Sequence, residues 1–511
     1  MITEHLMINV RVRILAIILL VLGTGLACQL TSPRPASWAG TPTAEARETA
    51  MALTQQAVSG FEYVFTPTVP TIIPEHTPTL TVTPTPHAET MNGPWLVYPA
   101  PDESGLHAFD IGADAILEIG LPEPILMADL VRGRSPDGRV VILRAGSPLN
   151  TDELALYQVS LPSFETEKIS PLLSITVQRK IVNEEGTRAF DALTAVTRPD
   201  GLAWSSDGRF LAFTAALNNE TSDLYVLDTL NNRVDRLNGL FTQNASPLWA
   251  PGSNWLITQE LENDRQGDGW RSELVSGLRV PNFDSQNTIY LPRPGTKEEV
   301  FVGWLNVHTF LSYSLTEDGP QLLRQVNVED LKDSLIFEGL FQEVASDPGS
   351  GTLAFILSYE DAIPHGLSGG VYRMVPDSPV QYLQQAGNWD HLSWDPGGMF
   401  VAAGSQGVSM FTPDGDSMLF PNEEHVRLSA NGNWMIAWGS TGARLYQSNN
   451  TYPLQTLIEG PVETLFWQPD SKAFYIQSAG SLYRFVFPGL RPIEIASGLP
   501  EDIALEMIWV E

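Results

Sequence analysis

Apolar and polar residues alternate over short runs through most of the chain after Trp95. In one such stretch the run Leu202–Trp204 precedes the polar segment Ser205–Gly208, and a second alternating run, Phe210–Ala215, follows. Alternation with a period of two is typical of strands, and Asp-Gly between two runs indicates a tight turn. The pattern therefore predicts an antiparallel strand pair. No convincing amphipathic helix longer than about ten residues is found after Trp95.

This strand–turn–strand unit recurs along the chain. Its copies are Arg134–Leu143, Gly201–Ala215, Pro247–Ile257, His391–Ala402, Arg427–Ala437 and Leu465–Ile476, with weaker ones at Val302–Tyr313 and Val344–Phe355. The tryptophans in these units and at the C-terminal end, Trp204, Trp249, Trp304, Trp394, Trp467 and Trp509, are 45, 55, 90, 73 and 42 residues apart. Single or double units of roughly 40 residues predict four-stranded propeller blades.

The pattern Trp-Ser-x-Asp-Gly followed by an apolar strand resembles the repeats of TolB-type propellers and of the propellers in prolyl-oligopeptidase-like peptidases. The resemblance covers about 95–511 and implies a fold rather than an activity. Asp-Gly supplies the turn and Trp is expected to pack between neighbouring blades, so both have structural roles. The peptidases also carry an α/β-hydrolase domain, which this sequence lacks, and we therefore expect no peptidase activity.

The two ends of the repeat region predict a closed ring. Leu505–Val510 has the pattern of a first strand without partners, whereas Trp95–Tyr98, His107–Asp110 and Ala115–Ile119 have the pattern of three strands without a first one. Together they make one shared blade, which removes open edges. About nine units are counted, but one weak unit, near Trp304 or between Ser135 and Trp204, is expected to merge with its neighbour. We predict an all-β protein with a single propeller over 93–511, of about eight blades within a range of seven to nine.

Composition supports a folded and strongly acidic protein. Hydrophobic residues make up 43% of the chain and charged residues 17%, while Gly and Pro are abundant, as suits short strands joined by turns. Acidic residues outnumber basic ones 60 to 29, for a net charge of −31. Such a surface repels phosphate backbones, so no nucleic-acid partner is expected. We predict a monomer.

The N-terminus has the pattern of an export signal. Arg11 and Arg13 precede an apolar run, Ile14–Leu22, that is too short for a comfortable membrane span, and small residues then lead to Cys28. Cysteine after Ala27 resembles the lipobox of bacterial lipoproteins, although the usual Leu three residues before it is replaced by Gly25. The resemblance implies a signal peptide over 1–27, a lipid anchor at Cys28 and an extracytoplasmic, membrane-anchored location. An ordinary secretion signal with an incidental cysteine is the alternative.

Residues 28–92 predict a disordered tether. The segment Thr66–Pro86 is rich in Thr-Pro and should be extended and semi-rigid, because proline removes backbone donors and fixes φ. It resembles the glycosylated stalks of surface proteins.

Sequence motifs give no catalytic, cofactor-binding or metal-binding residue, and Cys28 is the only predicted site. His365–Gly370 contains G-x-S-x-G, but a strand pattern follows it where a nucleophile elbow needs a helix. Asn263–Gly269 resembles the start of a calcium loop but lacks the acidic spacing and the closing Glu. Pro413–Ser417 is interpreted as a hairpin turn. The histidines form no zinc-type pair, although two of His308, His365, His391 and His425 could meet in a channel.

We therefore expect a surface lipoprotein whose propeller binds or scaffolds a protein, peptide or glycan. The alternative is an extracytoplasmic propeller enzyme of lactonase, lyase or glycosidase type. Acidic and His side chains converging at the channel mouth, with a bound metal, would favour the enzyme. Because the repeated residues are structural, distinctive chemistry is expected in irregular loops such as Glu260–Arg271 and Tyr359–Gly370.

Overall fold

The chain folds into a series of antiparallel sheets. The computed structural model describes residues 91–511 except 103, 150–153, 184–186, 219, 238–242, 264–269, 280–286, 291–297, 316–320, 331, 348–349, 376–379, 386–388, 395–398, 412–416 and 502. The described residues form eight four-stranded sheets and one three-stranded sheet. The predicted all-β propeller is confirmed. The nine blades lie within the expected range of seven to nine and exceed the preferred number by one.

The blades are numbered in chain order. Blade one contains β1 (Trp95–Pro99), β2 (Gly105–Asp110) and β3 (Ala115–Gly120). Blade two contains β4 (Val140–Ala145), β5 (Ala155–Ser160) and β6 (Thr166–Pro171). Blade three contains β7 (Leu202–Trp204), β8 (Phe210–Ala215), β9 (Asp223–Asp228) and β10 (Arg233–Arg236). Blade four contains β11 (Gln243–Trp249), β12 (Trp255–Asn263), β13 (Trp270–Arg279) and β14 (Asn287–Tyr290). Blade five contains β15 (Glu298–Trp304), β16 (Thr309–Leu315), β17 (Gln321–Asn327) and β18 (Asp333–Gly339). Blade six contains β19 (Glu343–Asp347), β20 (Thr352–Leu357), β21 (Gly370–Met374) and β22 (Gln381–Gln385). Blade seven contains β23 (Trp389–Trp394), β24 (Phe400–Gly404), β25 (Gly407–Phe411) and β26 (Ser417–Pro421). Blade eight contains β27 (His425–Leu428), β28 (Trp434–Gly439), β29 (Gly442–Gln447) and β30 (Gln455–Glu459). Blade nine contains β31 (Thr464–Trp467), β32 (Ala473–Ser478), β33 (Ser481–Val486) and β34 (Ile493–Ser497).

The last strand of the chain, β35 (Ile508–Val510), closes the ring. It pairs antiparallel with β1, with Val97 opposite Ile508 and Trp95 opposite Val510. Blade one is therefore completed by the C-terminal strand, as the sequence predicted. In blades three to nine the first strand lies at one edge of the sheet, and in blade one this edge is formed by β35. First strands of neighbouring blades contact one another in several places, as β7 and β11 or β19 and β23 do, so this edge faces the axis of the ring.

Blade two departs from the repeat. The residue Arg134, which precedes its turn, meets Val141 only in an isolated bridge, so β4, β5 and β6 lack a fourth strand. Three helices surround this blade: α1 (Asp129–Arg132), α2 (Ile175–Val182) and α3 (Thr187–Val196). The expected merging of a weak unit does not occur, because this unit keeps its own three-stranded sheet and Trp304 belongs to a full blade.

The core of the protein lies in the seams between blades. Trp249 of blade four is buried with Ala203, Phe210 and Val226 of blade three, and comparable apolar clusters fill the other seams. The Trp249 indole also donates to the Ala203 carbonyl across the seam (3.0 Å). The same bond recurs in three further seams: Trp204 to Gly133 (2.8 Å), Trp304 to Leu248 (3.2 Å) and Trp467 to Arg427 (3.4 Å). The structural role predicted for the repeated tryptophan is confirmed.

The first and second strands of each blade are joined at one face of the ring, the turn face, where the Ser-x-Asp-Gly turns of blades two and three lie. In blade three, Ser205 Oγ lies 2.6 Å from Asp207 Oδ1, and the Phe210 N–H donates to Ser205 Oγ (2.9 Å). Gly208 has φ +71°, a left-handed conformation that glycine adopts without strain. The innermost strands begin at the opposite face, the start face.

Candidate functional site at the start face

Most of the nine units share an acidic residue at a nearly fixed distance before the residue that precedes the turn. These pre-turn residues are Arg134, Trp204, Trp249, Trp304, Ser346, Trp394, Leu428, Trp467 and Trp509. Six blades carry a carboxylate four or three residues earlier, where the innermost strand begins: Asp200, Asp390, Glu424 and Glu463 at four, and Glu343 and Glu506 at three. Because the first strands surround the axis, the fold brings these six positions to one mouth of the channel.

Three of these carboxylates accept a hydrogen bond from the next blade. The Val131 N–H donates to Glu506 Oε2 (2.9 Å), and the Leu392 N–H donates to Glu343 Oε2 (3.1 Å). The Ser246 hydroxyl donates to Asp200 Oδ2 (2.6 Å). These three side chains therefore link neighbouring blades, in addition to placing carboxylate groups at the mouth of the channel.

Asp200 is held as an anion by a neighbouring arginine. Arg198 donates to both carboxylate oxygens, at 2.9 Å and 3.0 Å, in a bidentate pair. Burial alone would raise the pKa of Asp200, but the hydrogen bonds and charge of Arg198, with help from Ser246 and Arg132, lower it below its usual range. The side chain of Asp200 is only 14% exposed.

Glu506 has the opposite electrostatic character. Burial raises the pKa of Glu506 to about 7, although the Val131 N–H and the charge of Arg132 favour the anion. The charge of Asp129 adds to the increase. Glu506 therefore changes charge close to neutral pH.

Two histidines and a carboxylate meet on blades six to eight. His391 Nδ1 lies 3.3 Å from Glu343 Oε1, and both side chains are largely buried. The imidazole of His425 stacks on Trp438 with 5.2 Å between ring centroids. Burial is the main cause that lowers the pKa of His425 to about 4, with smaller contributions from the neighbouring His391 and Arg427 and an opposing one from Glu424. Of the four histidines considered in the sequence, His391 and His425 are the two that come close together.

The remaining carboxylates of the mouth are more accessible. Asp390 and Glu424 are exposed, and Glu463 is partly exposed. Glu424 Oε1 accepts from the Ser440 N–H of its own blade (3.1 Å). These three side chains offer negative charge to solvent at the mouth.

The second and third strands of each blade are joined at this same face, where the two irregular loops singled out in the sequence begin and end. The β12–β13 connection begins after Asn263 and ends at Trp270, and residues 264–269 of the expected calcium-like loop lie outside the described residues. The β20–β21 connection contains α4 (Tyr359–Ala362) and a 3-10 helix (Ile363–His365). Residues 413–416 of the expected hairpin turn Pro413–Ser417 also lie outside the described part.

The G-x-S-x-G motif forms no nucleophile elbow. Gly370 begins β21 directly, so no helix follows Ser368, and the Ser368 carbonyl accepts from the Tyr372 hydroxyl (2.5 Å). His365 packs against Phe337 of blade five, 5.0 Å between centroids, away from the channel. His308 lies at the turn face, 3.4 Å from Glu329. The interpretation of this motif as a blade loop is confirmed.

Among the residues that the structure describes, no group of three His, Cys, Asp or Glu side chains is arranged to hold a metal ion. Within the same residues, no helix is both long and apolar enough to cross a bilayer. Cys28, the one predicted site residue, lies outside the described residues, as do the predicted signal peptide and most of the predicted tether.

Comparisons with known proteins support the fold. No protein-family model matches the sequence, and no curated protein matches it. A crystal structure of a eukaryotic initiation factor is 10% identical, with 82% of this chain and 98% of that chain covered and a TM-score of 0.53. The fold is shared. Identity this low shows the fold alone.

Two further solved structures are similar at lower scores. Prolyl endopeptidase is 11% identical over 73% of this chain and 49% of that chain, with a TM-score of 0.39. TolB from Acinetobacter baumannii is 14% identical over 65% of this chain and 63% of that chain, with a TM-score of 0.29. Such scores say nothing about the activity of this chain.

Proposed function

We propose that this protein is an extracytoplasmic lipoprotein, anchored through Cys28, whose propeller binds a basic segment of a protein or peptide at the start face. The observation that supports this proposal is the placement of carboxylates on six of nine blades at the start of the innermost strand. Asp390 and Glu424 are accessible there, and the whole chain carries a net charge of −31. A negatively charged mouth concentrates cationic partners and speeds their association.

Binding is tested by titrating the purified full-length chain with a fluorescent Arg-rich peptide and with a Glu-rich peptide of equal length. We expect saturable binding of the Arg-rich peptide alone, weakening as ionic strength rises, because exposed charges are screened over about 10 Å at 0.1 M salt. Equal binding of both peptides, or none of either, contradicts the proposal.

The anchor is tested separately by mass spectrometry of the mature N-terminus. A chain that begins at an acylated Cys28 supports a lipid anchor. A mature N-terminus beyond Cys28, without acyl groups, contradicts this part of the proposal and favours ordinary secretion.

An enzyme acting at the channel is the second candidate, and the Glu343–His391 pair favours it. Glu343 Oε1 lies 3.3 Å from His391 Nδ1, and a carboxylate beside an imidazole is a pairing that general acid–base catalysis uses. Lactone, glycan and uronate substrates can be screened with wild type and with His391→Gln. Turnover that is lost in this variant while the fold is retained would favour the enzyme over the binding module.

A further inference from the structure

A polar cavity of 530 Å³ lies at the turn face between blades five and six, within the range of roughly 300–1,000 Å³ typical of small-molecule sites. Its walls come from the β15–β16 and β17–β18 connections of blade five and from the first turn of blade six. Eight of the twelve described residues that line it have polar or charged side chains, all on blade five. Blade six supplies the partly buried Met374, whereas Leu305 and Leu353 are buried in the apolar cluster of the seam.

The charged groups of this cavity neutralise one another. Asp330 Oδ2 lies 2.7 Å from Lys332 Nζ, and Asp333 Oδ2 lies 2.7 Å from Arg324 Nη1. The hydrogen bond from Lys332 lowers the pKa of Asp330, so this carboxylate is ionised at neutral pH. In a chain with a net charge of −31, both carboxylates that line the cavity are therefore paired with a basic side chain. A charged ligand would have to compete with one of these pairs, whereas an uncharged ligand would not.

Two asparagine side chains of the cavity have their oxygens committed to their own turns. Asn306 Oδ1 accepts from the N–H groups of His308 and Thr309, both at 2.9 Å. Asn327 Oδ1 accepts from the Glu329 N–H (2.8 Å). Because a backbone N–H can only donate, these bonds identify the oxygen of each amide. The amide N–H groups of Asn306 and Asn327 are therefore the part of each side chain left to donate to a ligand.

The same wall also offers a hydrogen-bond acceptor. Gln325 Nε2 donates to Ser334 Oγ (2.8 Å), which leaves Gln325 Oε1 to accept and the Ser334 hydroxyl to donate. Neutral donors and acceptors thus alternate along one side of the cavity. A ligand hydroxyl group both donates and accepts, so this arrangement matches a molecule that carries several hydroxyls.

We propose that the cavity between blades five and six binds an uncharged saccharide. The hydroxyls of the sugar pair with the amides of blade five, and Met374 offers apolar surface to the C–H groups of a sugar ring. A peptide is less suited, because peptide binding usually depends on a large side chain in an apolar pocket, and the leucines of this seam are already buried. This inference goes beyond the proposed function and does not depend on the charged mouth.

The test is saturation-transfer NMR of the full-length chain with neutral trisaccharides of glucose, galactose, mannose and N-acetylglucosamine. The trisaccharides of galacturonate and of glucosamine serve as the anionic and cationic comparisons. We expect saturable binding of at least one neutral sugar and of neither charged sugar. Failure of every neutral sugar to bind, or equal binding of the charged ones, overturns the proposal.

The double variant Asn306→Asp, Asn327→Asp locates the binding. It replaces two amide donors by carboxylate oxygens and keeps the acceptors that the two turns need. We expect the affinity for the neutral sugar to fall roughly tenfold or more, because two hydrogen bonds are lost. Asn450→Asp is the matched control, since Asn450 Oδ1 accepts from the Tyr452 N–H (2.9 Å) in the corresponding turn of blade eight. This control should bind like wild type.

Ser334→Trp tests the same site by filling it. Ser334 is exposed on β18, so the substitution leaves the core intact, and the indole should abolish sugar binding by occupying the cavity. Undiminished sugar binding by the double variant and by Ser334→Trp overturns the proposal. The Arg-rich peptide should bind to Ser334→Trp as it does to wild type, so failure at the cavity is distinguishable from failure at the mouth.

Discussion

The indole hydrogen bond across each seam gives a single-residue test of the repeat. Trp249→Phe keeps the aromatic ring beside Phe210, 6.0 Å between centroids, but leaves the Ala203 carbonyl without its donor. We expect a loss of about 1 kcal/mol in the free energy of unfolding, measured by urea denaturation.

Trp394→Phe is the matched control, because the buried Nε1 of Trp394 has no hydrogen-bond partner among the described residues. It should cost clearly less than Trp249→Phe. Equal losses would show that ring packing, and not the hydrogen bond, is what the tryptophan contributes.

Glu506 provides a pH-dependent prediction. Its pKa is raised from 4.5 to about 7 in the folded state. Below pH 4.5 the carboxyl group is protonated in both states. Between pH 4.5 and 7 the unfolded state loses its proton first, so this group lowers the stability progressively as pH rises, and the loss levels off above pH 7.

Glu506→Gln should remove that loss while keeping an acceptor for the Val131 N–H. We expect the variant to match wild type at pH 4 and to exceed it at pH 8 by on the order of 1 kcal/mol in chemical denaturation. The exposed Glu501→Gln should follow the wild-type pH profile. A Glu506→Gln variant less stable than wild type at pH 8 would contradict the raised pKa.

At the scale of elements, blade two is held by a buried ion pair where its fourth strand is missing. Arg144 of β4 and Asp129 of α1 are both fully buried and form two hydrogen bonds, at 2.9 Å and 2.6 Å. Arg144 also donates to the Val196 carbonyl at the end of α3 (2.5 Å). One side chain thus joins a strand and two helices, and removing its partner would leave a buried charge.

Gly201 makes room for this arginine. A Cβ at Gly201 would lie 2.5 Å from Arg144 Nη1, and the fixed ion pair leaves the guanidinium little freedom to move. Gly201→Ala should therefore lower the free energy of unfolding by about 2 kcal/mol or more. Gly120→Ala, where an added Cβ meets nothing within 4 Å, is the control and should change stability by less than half as much. Equal effects would exclude the steric cause.

The element scale also shows where sequence reasoning succeeded. Strand pairs with Asp-Gly turns, such as β7 and β8, were predictable because local alternation and turn chemistry determine them. The three-stranded blade two was not, since its stability depends on Arg144 meeting Asp129 and Val196, contacts made by residues 15 and 52 positions away. Sequence spacing does not show such contacts.

At the scale of the molecule, ring closure was predictable from the unpaired strand patterns at the two ends, and the blade number was predictable to within one. The charged mouth was missed, although a signal existed. Aligning the units on the pre-turn residue places Asp200, Asp390, Glu424 and Glu463 in one column of the repeat. These carboxylates lie four positions before the pre-turn residue, outside the strand–turn–strand motif by which the repeat is recognised. The proximity of His391 and His425 could not be predicted from the sequence, because it depends on how the ring places blades seven and eight beside each other.

Two triple variants of equal charge test directly whether the start face, rather than the overall charge of the protein, binds a basic partner. One neutralises the mouth (Asp390→Asn, Glu424→Gln, Glu463→Gln), and the other neutralises exposed outermost strands (Glu167→Gln, Glu338→Gln, Glu494→Gln). Affinity for the Arg-rich peptide is measured by fluorescence anisotropy at 0.1 M salt. We expect at least tenfold weaker binding for the mouth variant, about 1.4 kcal/mol, and near wild-type binding for the outer variant. Equal weakening of both variants would show that overall charge, and not the start face, determines binding.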